Sequence, residues 1–330
     1  MTRGPQPKQR AQFFRELAQL TGAGISVTQA AKVLGQEWRE DSVKRAIASM
    51  EQGLAEGRTI ADALSASLTP MEHSIIGAAE RGGKLADGFR HLEEYYALLA
   101  ATGARARTAL LYPLAMLHAA VLLPALVGAV VTGGSVGDVI KALLWGLLWI
   151  WMLLALVWLG GQWLGRKAAD SLPMDRVLDL IPLVGSTRKA LALARWLAVL
   201  HFCIASSQRI SEGLKQAGTA SRSALLEAAS LRAAQSVEDG GELGASLIAQ
   251  PAFPREMSGA LAAAEFTGHL DTETLRLSRA AMEQSATTME TSAKRLCGVF
   301  YGVVMAFTAW QILRVAGMYV GMYTKFMDAL

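Results

Sequence analysis

Gly77-Ala78-Ala79-Glu80-Arg81-Gly82-Gly83-Lys84-Leu85 and Ala262-Ala263-Ala264-Glu265-Phe266-Thr267-Gly268-His269-Leu270 share an Ala-Glu-x-x-Gly-x-Leu core. The second follows the first by roughly 180 to 185 positions, the signature of an internal duplication. Each core reads as a corner between two helices. A glycine ends the first helix in the left-handed conformation and a leucine begins the packing of the next. Gly83 and Gly268 are therefore turn residues, and Leu85 and Leu270 open the following helix. Glu80 and Glu265 fit two roles: pairing with arginine or backbone donors that hold the corner together, or contacting a partner from an exposed position.

Outward from the corners, the same order of features recurs. Phe14-Arg15-Glu16-Leu17-Ala18-Gln19-Leu20 answers Ala194-Arg195-Trp196-Leu197-Ala198-Val199-Leu200, with Arg, Leu-Ala and Leu at matching spacing. Gly57 to Ile60 followed by Leu64 answers Gly240 to Leu243 followed by Leu247, and Pro70 falls near the counterpart of Pro254. In the first copy the breakers are Thr21–Gly24, Gln36–Glu40, Gly53–Gly57, Ser67–Pro70 and Arg81–Gly83. Between them, apolar residues such as Leu17, Leu20, Val27, Ala30, Ala31 and Leu34 recur at helical spacing. Six helices per copy follow. β-Branched residues do not alternate with polar ones and no Asn-Gly hairpin turn occurs, so no strands are expected.

Each copy leads, through one amphipathic helix, into an apolar stretch. Leu110–Val131, Val139–Leu164 and Leu296–Val320 each reach roughly the 20 apolar residues that the hydrocarbon core of a bilayer requires. Pro113 and Pro124 lie in the first, where neighbouring helices can satisfy the freed backbone groups, and a kink is expected there. The helix from Leu85 to about Ala101 is expected to run on toward this span, coupling the polar bundle mechanically to the membrane. The glycine-rich link from Thr132 to Asp138 is too short for a domain, so the first two spans form a hairpin. Arg105 and Arg107, Arg166 and Lys167, and Lys294 and Arg295 all flank the spans on one side, which the positive-inside rule makes cytoplasmic. Tryptophans 145, 149, 151, 158 and 163 decorate the second span, the terminal ones suited to the interface. Arg314 lies inside the third, near enough to its outer end for the long stem to snorkel.

The expected fold is an all-α membrane protein of two repeated six-helix cytoplasmic bundles and three transmembrane helices. Its divisions are a flexible N-terminus (1–12), a first cytoplasmic helical domain (13–107), a transmembrane helix (108–132) and a periplasmic turn (133–138). A second transmembrane helix (139–165), a second cytoplasmic domain (166–294), a third transmembrane helix (295–321) and a periplasmic tail (322–330) complete it. The polar, proline-containing start has no apolar core of signal-peptide length, so no cleaved export signal is expected and the N-terminus stays cytoplasmic.

Several functions are excluded on chemistry. The net charge of +4 comes from scattered Lys and Arg without an arginine-rich or aromatic-interleaved patch, which argues against nucleic acid. Gly77 to Lys84 superficially looks like a phosphate loop, but the required first glycine is replaced by Ala78 and the Ser or Thr after the lysine by Leu85. The five histidines, His73, His91, His118, His201 and His269, stand apart without metal-ligand spacing and read as ordinary surface or bundle residues. Cys203 and Cys297 read as inert, half-buried thiols that build no disulfide framework. No nucleophile elbow or His-Glu-x-x-His motif is present. No catalytic residue, cofactor or metal is expected.

Two copies of an Arg-x-Leu-Ala-x-Leu opening, a Gly-x-x-Leu/Ile-x-x-x-Leu centre and the Ala-Glu-x-x-Gly-x-Leu corner, followed by Tyr112-Pro113 at the first span, resemble the type II secretion system F-domain proteins, the GspF/PilC platform family. The likeness covers nearly the whole chain. It implies a non-enzymatic, homo-oligomeric platform in the bacterial inner membrane of a type IV pilus or type II secretion machine. The partners it implies are a hexameric assembly ATPase, pilin or pseudopilin, other inner-membrane assembly proteins and the lipid bilayer. It also marks Glu80, Gly83, Leu85, Pro113, Glu265, Gly268 and Leu270 as assembly candidates. The short region before Phe13 inclines toward a type IVb or conjugative thin-pilus member. His201–Ser207 departs from the family pattern, because it lacks the Ala-Gly turn kept at Ala23-Gly24. A permease subunit or a membrane-anchored helical signalling adaptor are the alternatives; the first would normally carry more spans, and the second would not need a duplicated domain.

Overall fold

The computed structural model describes residues 6–38, 41–132, 137, 140–141, 144–148, 151–152, 155–156, 159–160 and 185–327, and they are all-helical, with no strand among them. The first half runs α1 (Pro7–Gly22), α2 (Val27–Glu37), α3 (Asp41–Ala55), α4 (Ile60–Ala63), α5 (Pro70–Arg81) and α6 (Leu85–Thr132). The second runs α7 (Gly185–Ala205), α8 (Ile210–Ser221), α9 (Ala224–Glu238), α10 (Leu243–Ile248), α11 (Arg255–Thr267) and α12 (Leu270–Met327). Local chemistry sets these ends. Ser26, Thr59, Thr69 and Ser223 each cap a helix start by accepting a backbone N–H, as short hydroxyl side chains do where the first turn has no intrahelical partner.

Three helix ends in the first half close with one pattern of backbone bonds, and the same pattern closes the matching ends of the second half. After α1, Gly24 N donates to Thr21 O and Ile25 N to Leu20 O; after α7, Ser207 N donates to Ile204 O and Gln208 N to Cys203 O. After α3, Gly57 and Arg58 donate to Leu54 and Gly53 as Gly240 and Gly241 donate to Val237 and Ser236 after α9. After α5, Gly83 and Lys84 donate to Glu80 and Ala79 as Gly268 and His269 donate to Glu265 and Ala264 after α11.

The turn after α7 thus forms without glycine. Ser207 takes the left-handed backbone, φ 56°, where Gly24 has φ 84°. Counting from this shared turn also moves the pairing of α1 with α7: Phe14 answers Leu197 and Leu17 answers Leu200, all four buried. The sequence pairing of Leu17 with Leu197 is three residues off. A slip of about one helical turn returns side chains to nearly the same face, so apolar spacing alone does not distinguish the two registers.

Two compact units result: residues 1–103 with 167–289, and residues 104–166 with 290–330. In the first, the expected separate bundles share one core. Phe14 stacks on Phe89 and Tyr96, with ring centroids 6.3 and 5.9 Å apart. In the second half, Trp196 lies 4.7 Å from the Phe253 ring and donates its indole N–H to Ser230 Oγ at 2.7 Å. Between the halves, α5 packs on α7 and α8, Arg195 Nε donates to the Tyr95 hydroxyl at 2.9 Å, and the His91 and Phe202 rings meet edge-to-face at 5.3 Å. Residues 7–12, read from the sequence as a flexible segment, are helical. α1 begins at Pro7 behind a Gln6–Gln9 capping box, because Arg10 is drawn into a buried ion pair with Glu72.

In the second unit, Glu290 pairs with Arg105 at 3.5 Å and Lys294 at 3.1 Å. Gly146 lies close against Val121, where a Cβ would come within 2.8 Å of its methyl; small residues permit such approach between apolar helices. The helix after the first corner is continuous to Thr132 and the helix after the second to Met327. Among the described residues, no helix is long and apolar enough to cross a membrane. Most of Val139–Leu164, the Thr132–Asp138 link apart from Thr132 and Gly137, and the side chains of Pro113, Pro124, Gln311 and Arg314 lie outside the described residues.

Candidate functional site

The two corner glutamates do the same job in both halves. Glu80 reaches from α5 to the start of α4, where its carboxylate accepts Ile60 N at 2.9 and 3.0 Å and Ala61 N at 3.4 Å. Glu265 reaches from α11 to the start of α10 and accepts Leu243 N and Gly244 N, each at 2.8 Å. A helix start presents unpaired N–H groups and the positive end of its dipole, so a carboxylate there makes charge-assisted bonds. α4 and α10 have four and six residues. They are too short to hold themselves in water, and Glu242 at the α10 N-cap makes no side-chain cap bond. The distant glutamate caps α10 instead, and in α4 it adds to the Thr59 cap.

The glutamate bond brings each short helix close to the helix that carries it. In the second half, a Cβ on Gly244 would stand 2.2 Å from Ala262 Cβ and 2.4 Å from Ala262 Cα. In the first half the residue types are exchanged: Ala61 faces Gly77, whose added Cβ would stand 3.5 Å from the Ala61 methyl. One Gly-Ala pair thus serves each corner, with the glycine on opposite partners.

The other sequence candidates complete the corners. Gly83 and Gly268 adopt φ +65° and +73°, a backbone conformation that costs other residues roughly 1 kcal/mol or more. Leu85 and Leu270 are the first residues of α6 and α12 and pack, partly buried, on the core. Pro113 falls inside α6, away from both corners.

Two clusters carry no sequence motif. Arg10 pairs with fully buried Glu72, donates to Ser67 O at 3.2 Å and stacks over Tyr96 at 5.5 Å. Burial pulls the Arg10 guanidinium down, but Glu72 and Tyr96 more than offset it and its pKa is raised; burial, then Glu72, raise the Tyr96 hydroxyl. Glu72 also closes a capping box with Thr69, and Thr-x-x-Glu at 69–72 is the only local signal of the cluster. The second lies between the halves. His91 is buried with Nε2 unpartnered, and burial, then His201 and Arg279, hold it down to about 3. His201 bonds Thr274 Oγ1 at 3.2 Å and is also lowered, chiefly by burial. Both histidines are interior, unlike the surface residues the sequence suggested as one option. Cys203 is buried, and burial pushes its thiol up to about 12, with Arg81 pulling it down and Glu212 up. Among the described residues, no cluster of His, Cys, Asp or Glu could hold a metal ion.

The family described as type II secretion system protein F matches the chain twice, over residues 13–133 and 196–314. The chain is 24% identical to the type II secretion system protein F of Vibrio cholerae, over 94% of this chain and 80% of that protein. It is 26% identical to the protein of the same name from Aeromonas hydrophila, over 94% and 84%. It is 25% identical to the type IV pilus assembly protein PilC of Thermus thermophilus, over 98% and 84%.

Proposed function

We infer a function from one fact: this chain belongs to the type II secretion system protein F family. The family consists of non-enzymatic membrane platform proteins of type II secretion and type IV pilus assembly, and the chain is not an enzyme. We propose that it is the inner-membrane platform of one such machine, coupling a cytoplasmic assembly ATPase to the movement of pilin or pseudopilin subunits in the bilayer. The observation that carries this reading is the double family match, which falls on two halves closed by identical backbone turns and identical glutamate caps.

On this reading the halves are two copies of a six-helix cytoplasmic unit, and spans at Leu110–Val131, Val139–Leu164 and Leu296–Val320 hold them to the membrane. Support comes from apolar side chains that face outward along the second unit, among them Leu111, Tyr112, Val299, Val303, Ile312, Leu313 and Val320. Such a surface in water would be a liability, whereas lipid covers it. The corners shape the cytoplasmic unit and set the faces that partners meet. They do not touch the bilayer.

The test has two arms. Single cysteines at exposed Lys44 and Gln235 should both react with an impermeant maleimide from the cytoplasmic side only. In the native host, loss of the gene should abolish piliation or secretion, and Glu80→Ala or Gly83→Val should do so while the protein still inserts. Labelling of the two positions from opposite faces would overturn the proposal.

A further inference from the structure

The two corners are built alike but covered differently. In the first half, Gly82 lies against the turn between α7 and α8: a Cβ on it would stand 2.8 Å from Ser206 Cβ and 3.1 Å from Ser206 Cα. Beside it, Lys84 Nζ donates to Ala205 O at 3.1 Å, and Arg81 and Glu212 both act on the Cys203 thiol beneath that turn. The face of α5 behind this contact is closed, with Ile75 and Ala78 fully buried.

In the second half, nothing among the described residues covers the equivalent face. Counting from the glutamates, Ile75, Ala78, Arg81 and Gly82 correspond to Ala260, Ala263, Phe266 and Thr267. Ala260 is half-buried where Ile75 is buried, and Ala263 and Thr267 are exposed where Ala78 is buried and Gly82 half-buried; Phe266, like Arg81, is exposed, at 94%. Gly259, Ala263 and Phe266 fall at i, i+4 and i+7 on one helix face, smooth except for a single aromatic knob.

The receiving surface is duplicated too, and its second copy is equally bare. The turn at Ala23–Ile25 has the same backbone bonds as Ser206–Gln208. Gly22, Ala23 and Gly24 are exposed, and nothing lies within 4 Å of where a Cβ would stand on Gly22 or Gly24. Counting from the turns, Glu212 and Gln216 on α8 correspond to Gln29 and Val33 on α2. Val33 is 43% exposed. Position by position, the open corner has Phe266 where the covered one has Arg81, and the open turn has Val33 where the covered one has Gln216, so both open faces carry an apolar side chain in place of a polar one.

We propose that the α11 corner of one copy docks on the α1–α2 turn of a second copy of this chain, repeating between molecules the contact that α5 makes with the α7–α8 turn inside each one. The assignment rests on the two-copy reading of the fold given above. Because the two faces are different, the contact is head-to-tail, each chain giving its Phe266 corner and receiving another's. Phe266 is the anchor, an aromatic ring of the kind that dominates such interfaces.

The experiment uses full-length chain in native membrane vesicles, with Cys297→Ser and the buried Cys203 retained. Two differently tagged copies, one carrying Val33→Cys and the other Phe266→Cys, are co-expressed and treated with a short bismaleimide. A covalent dimer should form from the mixed pair and not from either variant alone. Phe266→Glu should weaken self-association of the purified protein by about tenfold or more without changing its melting temperature, since the ring is already in solvent. Cross-linking of Phe266→Cys to itself, to a different protein only, or to nothing would overturn the proposal. Labelling both cysteines with impermeant maleimide on inside-out vesicles separates the two readings. Reaction of both without cross-linking refutes the interface and leaves the platform standing, whereas labelling from opposite faces refutes the platform.

Discussion

Replacing Glu265 with alanine should open one short helix and leave the rest of the molecule folded. The carboxylate is the cap of α10, with Leu243 N and Gly244 N each 2.8 Å from its oxygens and no side-chain bond from Glu242 to take over. Each orphaned backbone donor costs about 1–3 kcal/mol. Glu265 is half-buried, so water replaces part of the loss, and the sum comes to ~2–3 kcal/mol of local stability. Amides that exchange through that local opening should then exchange roughly 30- to 150-fold faster. Hydrogen exchange read by mass spectrometry on a peptide covering 240–248 measures this directly in detergent-solubilised protein, with a peptide from α8 as the unaffected control. Glu265→Gln keeps one acceptor oxygen and should lose about half of the effect in kcal/mol. Unchanged exchange at 240–248 in the alanine variant would refute the capping role, as would a uniform rise across the chain.

The Gly-Ala exchange predicts unequal twins: Gly244→Ala should destabilise by about 2–4 kcal/mol because its methyl meets backbone, Gly77→Ala by less than about 0.5 kcal/mol, and Ala262→Gly should partly rescue the former, all read by thermal melts. Ser207→Gly should stabilise by about 0.5–1 kcal/mol, since the serine holds φ 56°. Arg10→Met alone should cost about 3–5 kcal/mol by stranding buried Glu72, while Arg10→Met with Glu72→Met should come out near neutral in the same melts. His91 titrates near 3 when folded against 6.5 when free, so the unfolded chain binds the extra proton between those values. Its contribution is complete above pH 6.5 and falls as pH drops toward 3, by up to ~1.4 kcal/mol per pH unit; His91→Phe should flatten denaturation curves measured across that window.

What the sequence disclosed was local chemistry. Gly57, Gly83 and Gly268 mark helix ends because left-handed turns depend on neighbours a few positions away, and the structure ends its helices there. The all-helical class followed from apolar spacing. The turn at Ser207 was hidden because a serine in left-handed backbone leaves no compositional trace. The ion pair of Arg10 with Glu72 joins residues 62 positions apart, and only tertiary packing brings them together. The glutamate corners were visible as a motif, but whether their carboxylates faced inward or outward depended on where α4 and α10 would lie. That placement follows from the Gly53, Gly77 and Gly244 close approaches, which a single sequence does not order.

A chain made of two similar halves that pack through unlike faces carries an arithmetic consequence. One half's corner meets the other half's turn, so one corner and one turn are left over, on opposite members of the pair. Here the leftover corner belongs to the second half and bears Phe266, and the leftover turn belongs to the first and lies beside Val33. Had the duplication been retained only for size, both leftovers would be free to drift toward ordinary polar surface. Instead Phe266 stands on the open corner where the covered one has Arg81, and Val33 on the open turn where the covered one has Gln216, the reverse of what solvent alone favours. The first half has also fixed its α1 with a buried Arg10–Glu72 pair, where the second has Met257 in place of the glutamate. A buried ion pair adds little net stability but penalises misplacement of either partner. It therefore holds the start of α1, and with it the exposed turn at its other end, in one position. A receiving surface has to be held that way, while an inserting aromatic corner needs only to project.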